Sequence, residues 1–156
     1  PIFEETVLAG SQKELEQYEN DPRLTVAPDR YLGIGPFAGI LTAFETTGAE
    51  ELFLCPCDSP FVTVEIVREL LAVRWGFNAD ITIPISGNRF YPLIGLYHRR
   101  VVPRIHELVE GGRNAIRFLF RTCPTLMVHF KDPTPFLNIN TWEDYERLLK
   151  NAKPLD

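Results

Sequence analysis

The sequence predicts an α/β domain, and three observations carry that expectation. Short apolar runs alternate with longer amphipathic ones along the chain, the pattern of strands interleaved with covering helices. The 156 residues suit one ordinary domain with a core of its own. No repeat, low-complexity tract or Pro/Gly/Ser linker marks a second domain.

In chain order, Thr6–Ala9 reads as a short strand and Gln12–Tyr18 as a polar helix after it. Leu24–Ala27 is a second strand, ending at Pro28 and Asp29. From Pro36 to Thr46, Phe37, Ile40, Leu41 and Phe44 are spaced for one helical face. Leu52–Cys55 reads as a buried strand. Val62–Arg74 is the clearest helix, with Val64, Val67, Leu70 and Leu71 inward and Glu65, Arg68 and Glu69 outward. Asp80–Pro84 and Tyr91–Tyr97 are expected as strands about a turn at Ser86, Gly87 and Asn88. Helices follow over Val102–Val109 and Asn114–Phe120, then a strand over Leu126–Phe130. Thr141 is placed to cap a last helix, with Asp144 as the acid of a shortened capping box.

Composition narrows the function. Hydrophobic residues make up 45% and charged residues 24%, as in a folded chain rather than a disordered one. No apolar run approaches the roughly 18 residues that span a bilayer, and Glu4 and Glu5 stand where a signal peptide would be basic. Cys55, Cys57 and Cys123 form no secreted disulfide framework. The expectation is a cytoplasmic protein with no membrane partner. The net charge of −5 is uneven, because seven of the basic residues and only two acids lie between Arg89 and Arg121. That stretch is either a solvated helical face or a surface for an anionic ligand. Nucleic acid is not expected at a pI near 5.3 without basic-aromatic interleaving.

Three segments could carry chemistry. In L-F-L-C-P-C-D-S-P (52–60) an apolar strand ends abruptly in an acid between prolines. At the carboxyl end of a strand in an open sheet, Asp58 would reach the ligand crevice and suit a magnesium ion. It would equally serve to cap a turn or the following helix. The C-x-C pair lacks the second pair that zinc requires, so all three cysteines are expected as buried small residues. In P-D-R-Y-L-G-I-G-P-F-A-G-I (28–40), Gly33 and Gly35 precede a helix. They either let backbone approach an anion at the helix N-terminus or simply make a tight loop. In F-L-N-I-N-T (136–141), Asn138 and Asn140 would point to one side of a strand, two amides facing a polar ligand. A turn before a helix also explains Asn140. His98, His106 and His129 sit in no nucleophile-base arrangement, and no hydrolase motif occurs.

Together with Y-P-L-I-G-L-Y (91–97) and the continuation of the last segment to Asp144, these stretches resemble the molybdenum cofactor guanylyltransferases over essentially the whole chain. The resemblance implies a Rossmann-like, three-layer nucleotidyltransferase fold with a mostly parallel sheet. It implies transfer of GMP from Mg-GTP to molybdopterin, giving molybdopterin guanine dinucleotide and pyrophosphate. Carried over by residue, Asp58 would bind Mg2+, and Asp29 would contact the nucleotide. Gly33, Gly35 and Pro36 would lie alongside that nucleotide. Asn138 and Asn140 would be the paired active-site asparagines near the pterin. GTP, molybdopterin and proteins that deliver the molybdenum cofactor are the implied partners.

The resemblance has one gap. Family members begin with a strand running into L-A-G-G-x-S-x-R-M-G and a lysine, which cradle the triphosphate, and that stretch does not occur here. Val7-Leu8-Ala9-Gly10 resembles its start, but Ser11-Gln12-Lys13-Glu14 does not continue it. The separation of that run from Asp29 instead matches the family's second strand. The expectation is a single nucleotidyltransferase domain over 1–156 without its first strand and phosphate-binding loop, which would precede Pro1. Two other readings keep the fold: a non-catalytic pterin-binding relative, or a transferase that uses CTP or another small phosphorylated acceptor.

Overall fold

The computed structural model describes residues 2–151, with side chains described through residue 146. In chain order these form β1 (Val7–Gly10), α1 (Gln12–Leu15), β2 (Thr25–Pro28), α2 (Pro36–Thr47), β3 (Glu51–Leu54) and α3 (Val64–Trp75). Then come β4 (Ile81–Ser86), β5 (Arg89–Phe90), β6 (Gly95–His98), α4 (Val101–Glu110), β7 (Thr125–His129) and α5 (Trp142–Asn151). The expected helix over 114–120 is instead a 3-10 turn, Ile116–Arg121, in which i to i+3 bonds hold Leu119 fully buried. The stretch 136–141, read as a strand or as a turn before a helix, is irregular over 137–140, where the Ile139 N–H goes to the Asp58 carbonyl rather than into a ladder.

The α/β expectation holds, but the sheet is mixed rather than mostly parallel. β3 and β6, β4 and β6, and β4 and β5 pair antiparallel, whereas β4 and β7, and separately β1 and β2, pair parallel. The cause is local. Gly87, at φ 56°, turns β4 back on itself into β5, and the returning chain lays β6 between β3 and β4. Two-residue hairpins favour such left-handed turn positions.

Side-chain alternation along the strands builds a layer on each face of the main sheet. Tyr97 packs with Phe37, Ile40 and Phe44 of α2 and Ile105 of α4, whereas the adjacent Leu96 packs with Ile66 and Leu70 of α3. Likewise Leu52 and Leu54 face the first cluster and Phe53 the second. Helix α2 is held most firmly, since Phe37, Leu41 and Phe44 are almost fully buried. Burying each such side chain contributes about 1.5–3 kcal/mol. In α3 the inward set is Ile66, Val67 and Leu70; Val64, expected inward, is exposed at the first turn.

Gly95 marks a close approach of β6 to β4. A Cβ there would stand 2.4 Å from the Thr82 carbonyl oxygen and 3.0 Å from Cγ2 of Ile83. Gly95→Ala is therefore expected to force the strands apart and cost about 3 kcal/mol or more, read as a lower urea midpoint at unchanged slope.

Among the described residues β1 pairs only with β2 and β3 only with β6, so each leaves one edge unpaired. Helix α2 contacts β1, β2 and β3 alike and thereby joins the two sheets. Gly39 of α2 lies over Ala9 of β1, where a Cβ on it would make an ordinary contact with Cβ of Ala9 at 4.0 Å.

Candidate active site

Strand β3 delivers Asp58 through a turn closed by the Ser59 N–H on the Pro56 carbonyl at 3.1 Å. The far end of the chain meets it there. The Ile139 N–H donates to the Asp58 carbonyl at 2.8 Å, and Nδ2 of Asn138 donates to Oδ2 of Asp58 at 3.1 Å. The Ser59 hydroxyl, 4% exposed, lies 3.1 Å from Oδ1 of Asn138 and 3.3 Å from Oδ1 of Asp58, with one proton for both. A carboxylate only accepts, so Asn138 must turn its NH2 toward Asp58 and its oxygen toward Ser59. The result is a half-buried carboxylate aimed by Asn138, with Ser59 donating to it or to Asn138 and lone pairs remaining for a ligand.

The structure thus brings Asp58 and Asn138 together across 80 positions. Asn140 does something different. Its backbone N–H donates to Oδ2 of Asp144 at 3.3 Å, beside the Thr141 N–H at 3.1 Å, while Oγ1 of Thr141 accepts from the Asp144 N–H. This is the expected capping box at the start of α5. No hydrogen bond joins the Asn140 side chain to Asp58 among the described residues, and the side chain is exposed.

The second group lies at the end of β2. Asp29 donates its N–H to the Gly10 carbonyl at 2.8 Å, and its side chain turns toward α2. Burial pushes its carboxyl above the usual range, a hydrogen bond with Thr42 partly opposes that, and Oδ1 is buried without a partner. An unpaired, desolvated acceptor of this kind is a cost to folding that a ligand's donor would relieve. Gly33 (φ 76°) and Gly35 (φ 59°, ψ −138°) take backbone conformations open to glycine, and Pro36 starts α2. Pro36 brings no N–H and that of Ala38 closes on the Gly35 carbonyl at 3.1 Å, so in the first turn of α2 the N–H of Phe37 is left to meet an anion. No hydrogen bond connects the two groups among the described residues. They share α2, since β2 and β3, the strands that lead into them, flank that helix in sequence and both touch it.

The cysteines depart from expectation. Cys123 is buried, but Cys55 and Cys57 are exposed, because the prolines that follow β3 carry the chain out to the surface. Although Cys55 is open to solvent overall, its Sγ turns in toward the Pro56 and Ser59 carbonyls. Burial first, then Cys57 and Asp58, pushes that thiol up. The basic stretch is partly structural. Arg99 donates to the Phe44 and Ala49 carbonyls at the C-terminal end of α2, Arg100 binds Asp80, and Arg104 pairs with Glu107. A cleft of about 220 Å³ lined by Arg104, Glu107, Leu108, Gly111, Arg113 and Thr122 contains neither Asp58 nor Asp29. Ser59 and Thr42 support the site but were not singled out from sequence. Asn114, whose Nδ2 donates to the Gly33 carbonyl at 3.3 Å, had no local signal at all.

The family described as MobA-like NTP transferase domain matches residues 1–126. The chain belongs to that family. It is therefore a nucleotidyltransferase. A protein of Halalkalibacterium halodurans named probable molybdenum cofactor guanylyltransferase is 38% identical over 135 residues, covering 82% of this chain and 68% of that protein. The crystal structure of molybdopterin-guanine dinucleotide biosynthesis protein A from Archaeoglobus fulgidus has the same fold. Its TM-score is 0.76 at 22% identity, over 91% of this chain and 75% of that one. A manganese complex of Rv0371C from Mycobacterium tuberculosis has the fold too, with a TM-score of 0.59 at 18% identity over 96% and 79%. No described helix is long and apolar enough to cross a membrane.

Proposed function

We propose that this chain transfers GMP from GTP to the terminal phosphate of molybdopterin, releasing pyrophosphate. The observation that carries the reading is the oriented Asp58 carboxylate at the carboxyl end of β3, held by Asn138 and Ser59. The relative's name supplies the guanylyl group and the molybdenum cofactor, for no side chain described here distinguishes the base.

The residues fit a divalent ion that arrives with the nucleotide. Among the described residues no cluster of three or more His, Cys, Asp or Glu could hold a metal by itself. A single carboxylate with hard oxygens suits Mg2+, which shares its coordination with substrate phosphates. Bound at Asp58, such an ion would offset the charge that builds on the transferred phosphate. Asn138 keeps the carboxylate aimed, while the Gly33–Gly35 loop and the α2 N-terminus receive the nucleotide near Asp29. The acceptor phosphate then attacks the α-phosphorus in line, and positioning supplies most of the rate. The unpaired edges of β1 and β3 support a further strand between them, bearing the phosphate-binding loop the resemblance implies. Three free thiols suit a reducing cytoplasm, where molybdenum-cofactor delivery proteins would supply the acceptor.

Pyrophosphate release with molybdopterin present, measured across GTP, CTP, ATP and UTP, tests the assignment. GTP is expected to be used in preference to the rest. Turnover with CTP and none with GTP contradicts the guanylyl reading.

A further inference from the structure

The Gly33–Gly35 loop is held from a distant part of the chain. Besides the bond from Nδ2 of Asn114 to the Gly33 carbonyl, the Asn114 carbonyl oxygen lies 3.6 Å from where a Cβ on Gly35 would sit. A Cβ on Gly33 would meet nothing within 4 Å, and the adjacent Leu32 is 90% exposed. The ends of the loop are tied separately, by the Arg30 N–H toward Oγ1 of Thr42 and by buried Ile34. Its middle depends on Asn114.

Asn114 is itself on a rigid mount. Helix α4 is anchored by Val101, Ile105 and Leu108 and is followed by a turn through Gly111 and Gly112 (φ 70°). There the N–H groups of Gly111, Gly112 and Arg113 are bonded back to Glu107, Val109 and Leu108. On its other side the 3-10 turn is pinned by fully buried Leu119. A second tie runs from the same helix, where the His106 ring meets the Tyr31 ring edge-on at 6.2 Å. Yet Oδ1 of Asn114 is buried without a partner. A residue kept for folding alone would do better without an unsatisfied amide oxygen.

We propose that Asn114 is a positioning residue for nucleotide binding: its amide fixes the glycine loop in the conformation that receives the nucleotide beside Asp29. This rests on the site reading above. The test uses the intact protein, a fluorescent GTP analogue for affinity, and steady-state turnover with GTP and molybdopterin. Asn114→Ala is expected to weaken the analogue and raise the KM for GTP about tenfold, as loss of a supporting contact typically does. The KM for molybdopterin and the melting temperature should stay near wild type. Asn114→Leu, close in size but with no donor for the Gly33 carbonyl and no charge to repel the nucleotide, should behave alike and covers the case in which the alanine variant does not fold. Wild-type affinity in both variants overturns the proposal alone. So does a joint loss of GTP affinity, molybdopterin affinity and melting temperature, which would mean a structural role. Failure of the wild-type protein to bind the analogue overturns the site reading beneath it.

Discussion

Asp58→Ala is expected to lower pyrophosphate release by about a thousandfold or more, since a metal-borne charge contributes several kcal/mol to such a transition state. The fold should survive. The Ile139 N–H bonds the backbone carbonyl of residue 58, which alanine keeps, and Ser59 can still donate to Asn138. The Asn138 side chain left behind is exposed and returns to water, so no buried donor is orphaned. An unchanged melting curve with lost turnover is the expected pair of results. Near-normal release by this variant would remove Asp58 from the chemistry.

Asn138→Ala is expected to lower kcat about 10- to 100-fold, the range seen when a residue that orients a metal ligand is removed. The geometry also says where the loss should appear first. Asn138 reaches Asp58 directly, at 3.1 Å, so the concentration of divalent ion needed for half-maximal activity should rise. Titrating Mg2+ at fixed, saturating GTP measures that. A loss confined to the KM for molybdopterin, with metal dependence unchanged, would instead make Asn138 an acceptor contact. Asn140→Ala should be mild by comparison, because its backbone amide serves the α5 cap whatever the side chain.

Much of this was legible in the sequence for stated physical reasons. Helix α2 was readable because Phe37, Ile40, Leu41 and Phe44 repeat at helical spacing and all point into one core. The position of Asp58 shortly after β3 was readable because an apolar run that stops at an acid between prolines marks the end of a strand. The capping box at Thr141 and Asp144 depends on residues three apart, so local sequence holds all of it. What escaped was set by partners far away. The mixed sheet is an exception, since its cause, the reversal at Gly87, is local, and the mostly parallel sheet was implied by the resemblance and not by the residues. Asn138 and Asn140 look equivalent as an i, i+2 pair, and only the bond from Ile139 to Asp58 and the cap at Asp144 separate their roles. Cys55 and Cys57 resemble strand-end core residues until the prolines carry them outward.

The most direct test of the account is where a divalent ion binds. Crystals of the intact protein grown with Mn2+ and a non-hydrolysable GTP analogue would show the ion by its anomalous signal. The account expects a peak at bonding distance, roughly 2.0–2.2 Å as for a small hard cation, from a carboxylate oxygen of Asp58, with triphosphate oxygens completing the shell. An ion bound to the nucleotide but out of reach of Asp58 would contradict it.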